Sequence, residues 1–211
     1  MEPAPTITTT RIASSRSPLD PAPRTTVMME TATFVSKNVT TTGTVRWRYT
    51  WDVPGDLLKV TNGTGQALYA YDGAGRRVES VEGGSTWYYA YTGTEILYKH
   101  LLNMDNYEYV YASGFRIAMI VDRSGIINYY YHADALGSVR LITYFDGSVQ
   151  NTDNYQPFGQ DNGTPTGNNA NNQATDKFTG KPYSTATGLY YKYQRWYDPS
   201  IGRFISPNLA A

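Results

Sequence analysis

The chain has no cysteine among its 211 residues. Disulfides and thiolate metal sites are therefore excluded, and no redox compartment is indicated. It has only two histidines, His100 and His132. A Ser-His-Asp hydrolase would have to draw its base from that pair, and no Gly-x-Ser-x-Gly elbow is present. No run reaches the roughly 18 apolar residues that a membrane helix needs. The opening MEPAPTITTTRIASS lacks a charged region followed by an apolar one, so it does not read as a signal peptide. There is no excess of charge either, with 18 basic and 18 acidic residues. That balance argues against nucleic acid and against insertion into or adsorption on a membrane. Arg46, Arg48, Arg76, Arg77, Arg195 and Arg203 do interleave with aromatics, but stacking inside a sheet accounts for them.

What the chain has in quantity is tyrosine, 20 against 6 phenylalanines. Tyrosine favours pleated, half-buried surfaces where the ring packs and the hydroxyl stays polar. Glycine (19) and proline (11) are scattered, as many tight turns require. The class is all-β. Residues 1–44 are Pro/Thr-rich and read as an arm or linker, with a possible edge strand from Phe34. From Val45 the pattern VRWRYTW alternates strictly, which predicts a strand with one packed face. Turn signals then begin at 62, 82, 103, 122 and 145, spaced by 20, 21, 19 and 23 residues. Residues 45–159 are thus tandem β-hairpins with a period near 20 residues. A lone hairpin is marginal in water, so the units must stack into one curled sheet or partial β-shell. Residues 160–176 read as a polar loop, and order resumes over 177–211.

The first two units show most clearly an aromatic-Asp-x-x-Gly corner, Trp51-Asp52-Val53-Pro54-Gly55 and, 20 residues on, Tyr71-Asp72-Gly73-Ala74-Gly75. The aromatic anchors the incoming strand, Asp accepts bonds from its own turn, and Gly supplies positive φ. Arg76 is then placed to lie over an aromatic face.

These segments resemble the YD repeat of RHS proteins. Tyr69 to Arg76 matches the repeat itself. Tyr131-His132-Ala133-Asp134-Ala135-Leu136-Gly137-Ser138 looks like the family's Tyr-His-x-Asp-x-Leu-Gly-Ser segment, and Tyr155-Gln156-Pro157-Phe158-Gly159 its Tyr-x-Pro-Phe-Gly step. Phe178 to Lys181, Thr187-Gly188-Leu189-Tyr190-Tyr191, Arg195, Tyr197-Asp198-Pro199 and Gly202-Arg203-Phe204-Ile205-Ser206-Pro207 fall in the order of the family's core-associated segment. The likeness covers roughly Trp47 to Asn208. It implies a β-sheet shell that encloses an effector, closed at one end by the core segment, in a secreted or cell-surface protein. In many members that segment cuts the effector free using aspartates. Here the two matching positions read Ser184 and Asn208. Neither can do the acid-base work of peptide cleavage, so the expectation is a structural protein and no enzyme.

Other readings are weaker. His132 and Asp134 offer two metal ligands where a tetrahedral site wants three or four, and no cofactor is expected. His100 has no partner in sequence. The tyrosine faces could stack on sugars, but cross-strand tyrosine pairing explains them as well. Asn38, Asn62 and Asn162 open N-x-Thr patterns that matter only where proteins are glycosylated. The partners expected are a second copy of the chain or an upstream segment of RHS repeats; the alternatives are an extracellular carbohydrate-binding or adhesion module, with a glycan as partner, and a residual self-cleaving RHS core.

Overall fold

The structure is a computed structural model and describes residues 8–10, 32–39, 45–52, 54–63, 65–164, 166–167 and 175–206. It is all-β, in two antiparallel sheets of 14 and 4 strands. The first is a meander in which each strand pairs with its neighbours in sequence. In order the strands are β1 (Thr8–Thr10), β2 (Ala32–Val39), β3 (Val45–Trp51), β4 (Leu57–Thr61), β5 (Gln66–Tyr71), β6 (Arg77–Glu82) and β7 (Ser85–Thr92). β8 (Glu95–Leu101), β9 (Asn106–Ala112), β10 (Phe115–Asp122), β11 (Ile126–Ala133), β12 (Val139–Tyr144), β13 (Val149–Thr152) and β14 (Thr166–Gly167) follow. A short 3-10 turn at Phe178–Gly180 leads into the second sheet, β15 (Tyr183–Ser184), β16 (Leu189–Lys192), β17 (Arg195–Asp198) and β18 (Arg203–Phe204). The large sheet does not close on itself. Part of the stretch read as an arm is in it, since Thr8–Thr10 pairs with Thr33–Val35.

The turn chemistry repeats. At Asp72 the backbone N–H bonds the Arg76 carbonyl at 2.9 Å, and the Gly75 N–H bonds the Asp72 carbonyl at 3.0 Å. The same pair of bonds closes the corners that begin at Asp52, Leu101, Asp134, Tyr144, Gln156 and Lys177. Asp72 Oδ1 also accepts from the N–H groups of Ala74 and Arg76, and Asp134 Oδ1 from those of Leu136 and Ser138. This is the Asx-turn that the sequence predicts. The register shifts by a bulge at Thr50/Trp51, Ala70/Tyr71 and Ala90/Tyr91, one unit apart each time. A bulge adds local twist, so its recurrence curls the sheet.

Two hydrophobic clusters form on the face that the small sheet covers. One joins Tyr49, Trp51, Leu57, Val60, Ala67 and Tyr69 to Leu189, Tyr191 and Trp196 of the small sheet. The other is built by the large sheet alone, from Ile96, Tyr107, Tyr109, Met119, Val121, Tyr129, Tyr131, Val139 and Ile142.

Candidate functional site

Past four of the corners, the first or second strand residue pairs with the last or next-to-last residue of the strand before it, an aromatic each time. The pairs are Leu57 with Trp51, Arg77 with Tyr71, Ile96 with Tyr91, and Arg116 with Tyr111. Tyrosine hydroxyls then tie each unit to the one before. Tyr71 donates to the Leu57 carbonyl at 2.9 Å, Tyr91 to that of Arg77 at 2.8 Å, and Tyr111 to that of Ile96 at 2.8 Å. Along this ladder the side chains alternate as Leu57, Arg77, Ile96, Arg116, so every second unit points a guanidinium into the covered face. Lys99 of β8 adds a third buried cation.

The C-terminal segment answers these cations. Asp176, 1% exposed, forms an ion pair with Arg116. Burial works to raise the Asp176 carboxyl, but the Arg116 and Lys99 charges hold it below the ordinary carboxylate value. Lys99 Nζ donates to Thr175 Oγ1 at 3.0 Å and lies 4.6 Å from the Trp87 ring centroid. Burial, opposed by Asp176, pushes the Lys99 ammonium down to about 8. Among the described residues Arg77 has no carboxylate in ion-pair contact, although the Glu82 charge acts on it. Its guanidinium lies 4.6 Å from the ring centroids of both Tyr89 and Tyr191, with Trp196 at 5.4 Å and Tyr69 at 5.5 Å. Further contacts fix the segment. The Tyr191 hydroxyl accepts from the Arg77 N–H at 2.9 Å, and Trp196 Nε1–H donates to the Tyr71 hydroxyl at 3.0 Å. Lys181 bonds Glu95 at 2.8 Å, and Lys177 bonds Asp161 at 2.9 Å.

Most residues singled out from the sequence sit at corners and seams. Gly75 has φ +73 and places its Cα side against Gln194. Arg76 pairs with Asp72 at 2.8 Å and lies 5.7 Å from the Tyr91 ring. Gly137 packs on Phe115. Gly159 has φ +89, and a Cβ there would fall 2.5 Å from Phe178. Pro157 is exposed in its turn. Gly188 turns the chain between β15 and β16 with φ +73. Tyr197 donates to the Phe158 carbonyl at 3.0 Å, and Asp198 accepts from the Ser200 N–H at 2.8 Å beside buried Pro199. Gly202 approaches Phe158, while Arg195 covers Phe204 at 3.8 Å and Arg203 is exposed. His132 bonds Thr143 Oγ1 at 3.1 Å while Asp134 caps its own turn, so the two are not turned to a common ligand. His100 stacks on Tyr88 and lies 2.8 Å from Asn106 Oδ1.

Ser184 is buried, and its hydroxyl donates to Glu82 Oε2 at 2.7 Å. Asn208 lies outside the described residues. Sequence reasoning missed Lys99, Arg116 and Asp176, and it treated Arg77 as one of several stacking arginines. The available signal was the position of Arg77 and Arg116 just past a corner glycine, two units apart. Asp176 gave none, because it closes a polar stretch that reads as a loop.

No family model matches the chain. Among curated proteins, a salivary gland surface protein of Aedes aegypti is 38% identical over 80 residues, 37% of this chain and 2% of that protein. The double-stranded DNA deaminase toxin A of Burkholderia cenocepacia and the tRNA3(Ser)-specific nuclease WapA of Bacillus spizizenii are each 33% identical over 81 residues. Those matches span 37% of this chain but 6% and 3% of the two toxins. In fold, the chain resembles the solved TcdB2-TccC3 protein, with a TM-score of 0.63 and 22% identity over 78% of this chain and 9% of that one. The Photorhabdus luminescens Tc holotoxin pore gives a TM-score of 0.60 and 21% identity over 83% of this chain and 9% of that one. The chain therefore spans a small part of each relative, and these neighbours fit an RHS-type, toxin-associated protein.

Proposed function

We propose that this chain is the C-terminal part of an RHS/YD shell and that its work is structural, as a secreted or cell-surface scaffold or container wall. The observation that carries this reading is how the C-terminal segment is spent. Its charged and aromatic groups are bonded to the repeats, in the Asp176–Arg116, Lys181–Glu95, Tyr191–Arg77 and Trp196–Tyr71 contacts. A catalytic centre would leave reactive groups facing a substrate cleft. Among the described residues the outer strands β1 and β14 each pair on one side alone, which suits pairing with a second copy or with upstream repeats. Light scattering behind size exclusion, with negative-stain images of the peak, tests this. Rings, closed dimers or filaments are expected, and a compact monodisperse monomer overturns the self-associating reading.

The chain on this reading does not cut itself. The hydroxyl at position 184 is bonded to Glu82 and brings no second carboxylate to the site. Intact mass of a fusion carrying a reporter after Ala211 checks it: one uncut species is expected, and a released reporter overturns the claim.

A second reading, an extracellular carbohydrate-binding module, is favoured by one surface feature. Tyr88 is 39% exposed and stacks on His100 with centroids 6.4 Å apart and planes at 15°. A glycan array probed with the chain and with Tyr88→Ala decides it: binding that the variant loses would support a sugar site, and no binding would remove it.

A further inference from the structure

Past the end of β13, the fold brings one lysine and two aspartates together. Lys177, 8% exposed, turns its ammonium to Asp161, with Nζ 3.0 Å from Oδ1 and 2.9 Å from Oδ2. The carboxyl carbon lies between those oxygens, within reach of the nitrogen. Asp153, 1% exposed, sets its Oδ1 3.7 Å from the same nitrogen. That oxygen has no hydrogen-bond partner among the described residues, while Oδ2 accepts from Asn151 Nδ2 at 2.8 Å. A nucleophile, an electrophile and a second carboxyl thus meet at one atom, Lys177 Nζ.

The backbone holds all three in place. The Asp153 N–H bonds the Arg140 carbonyl at 3.0 Å, and the Lys177 carbonyl accepts from the Val139 N–H at 3.1 Å. Asp161 forms a bridge with Tyr155, beside the Asn162 N–H on the Asn154 carbonyl at 2.7 Å. Groups fixed in this way react as if at concentrations of about 10⁵ M or more. The Tyr183 ring lies 5.3 Å from Nζ and packs on Tyr190 with centroids 4.8 Å apart, which keeps water from one side. Burial pushes the Asp153 carboxyl up, towards its protonated form, against the pull of the Lys177 charge. A salt bridge to Asp161 alone would satisfy the lysine. The second carboxyl, buried and with one oxygen unbonded, is what an ion pair leaves unexplained.

We infer that Lys177 and Asp161 condense into an intramolecular isopeptide bond, with Asp153 relaying the protons. Lys177 passes one proton to the Asp161 carboxylate, which leaves a neutral amine beside a carboxylic acid. The Nζ lone pair attacks Asp161 Cγ, and the C–N bond forms. Asp153 gives its proton to the departing hydroxyl as the C–O bond breaks, and takes one back from the nitrogen. One ammonium and one carboxylate become one amide and one water, and Asp153 ends as it began. The Asp161 side chain, 33% exposed, gives the water a way out. The product removes two charges from a poorly solvated place and bolts the C-terminal segment to the residues that follow β13. It happens once per chain and does not depend on the shell reading.

The whole purified chain is weighed by intact mass spectrometry in denaturant, then cut with a protease that cleaves before aspartate. Cleavage before Asp176 separates position 161 from Lys177, so their peptides stay together only if they are bonded. The expected result is a chain lighter by one water, with those two peptides joined. Lys177→Arg keeps the charge but offers no acylable amine, and Asp153→Asn removes the relay. Both are expected at full mass with the peptides apart. The parent mass decides by itself where a variant fails to fold. A parent chain at full mass would overturn the bond. So would loss of one ammonia, which places the bond at Asn151, or loss of water with the peptides apart, which marks a succinimide. An Asp153→Asn chain that still joins the peptides would overturn the relay.

Discussion

Arg77 and Arg116 occupy the same place in two repeat units, yet the protein buries them in different ways. Both lie two residues past a corner glycine, both pair with a tyrosine at or next to the end of the preceding strand, and both are nearly inaccessible, at 3% and 7% exposure. Arg116 is matched by a carboxylate from the C-terminal segment, and its guanidinium lies 4.1 Å from the Tyr109 ring. Arg77 is enclosed by four rings, two of them from the C-terminal sheet. The two hydrophobic clusters differ accordingly. The one around Arg77 is completed by Leu189, Tyr191 and Trp196, and the other completes itself within the large sheet. A repeat thus fixes where a cation points, and the covering segment decides whether charge or π-density answers it.

The comparison is broken most sharply at Asp176. Asp176→Asn leaves Arg116 buried without its counter-ion and should cost about 3–5 kcal/mol, read as a fall in urea midpoint. Next comes the seam that holds the segment in place. Gly159→Ala forces a Cβ to within 2.5 Å of Phe178 at φ +89, and about 3 kcal/mol is expected. If Gly159→Ala melts like the parent, the segment can shift on the sheet and the stated packing is wrong.

pH gives the third test. Lys99 falls from 10.5 to about 8 on folding, so its proton leaves the folded chain first. Between those values the unfolded chain binds more protons, and stability rises with pH, by on the order of 2–3 kcal/mol if unopposed. Lys192, also pushed down to about 8, acts in the same direction. Tyrosines act oppositely. Burial raises Tyr107 and Tyr111 to about 12, so above pH 10 the unfolded chain ionises first and stability falls. Denaturation at a series of pH values should peak at about pH 9–10, and a monotonic decline from neutral pH would refute the buried charge of Lys99.

The smallest effects sharpen the contrast. Tyr91→Phe removes the donor to the Arg77 carbonyl and should cost about 1 kcal/mol. Glu82→Gln should cost less than about 1 kcal/mol, since Arg77 leans on rings rather than on this half-exposed carboxylate. A loss at Glu82 as large as that at Asp176 would make the two arginines alike.

The hairpins were legible because each carries its own instructions. Alternation marks β3, Asn62-Gly63 marks the turn into β5, and Asp72 and Asp134 bond their own turns as the residue types dictate. The candidate site was far less legible. Its members come from β6, β8, β10 and position 176, and nothing local in Lys99 or Asp176 signals burial. A lysine amid tyrosines is ordinarily a solvated one, and an aspartate after Asn/Thr-rich sequence is ordinarily a loop residue. Even the polar stretch divided unexpectedly, with Thr166–Gly167 adding a strand at the sheet edge and Asp176 sinking into the interior.

By itself the sequence determined the all-β class, the period near 20 residues and the corner chemistry, because turns and strand faces are set by residues within reach of one another. The tertiary structure alone decided which cations are buried and what meets them. Asp176 reaches Arg116, and Tyr191 and Trp196 reach Arg77, across long stretches of chain. Such pairings depend on how the curled sheet and the C-terminal segment fill one another's space, which no local pattern encodes.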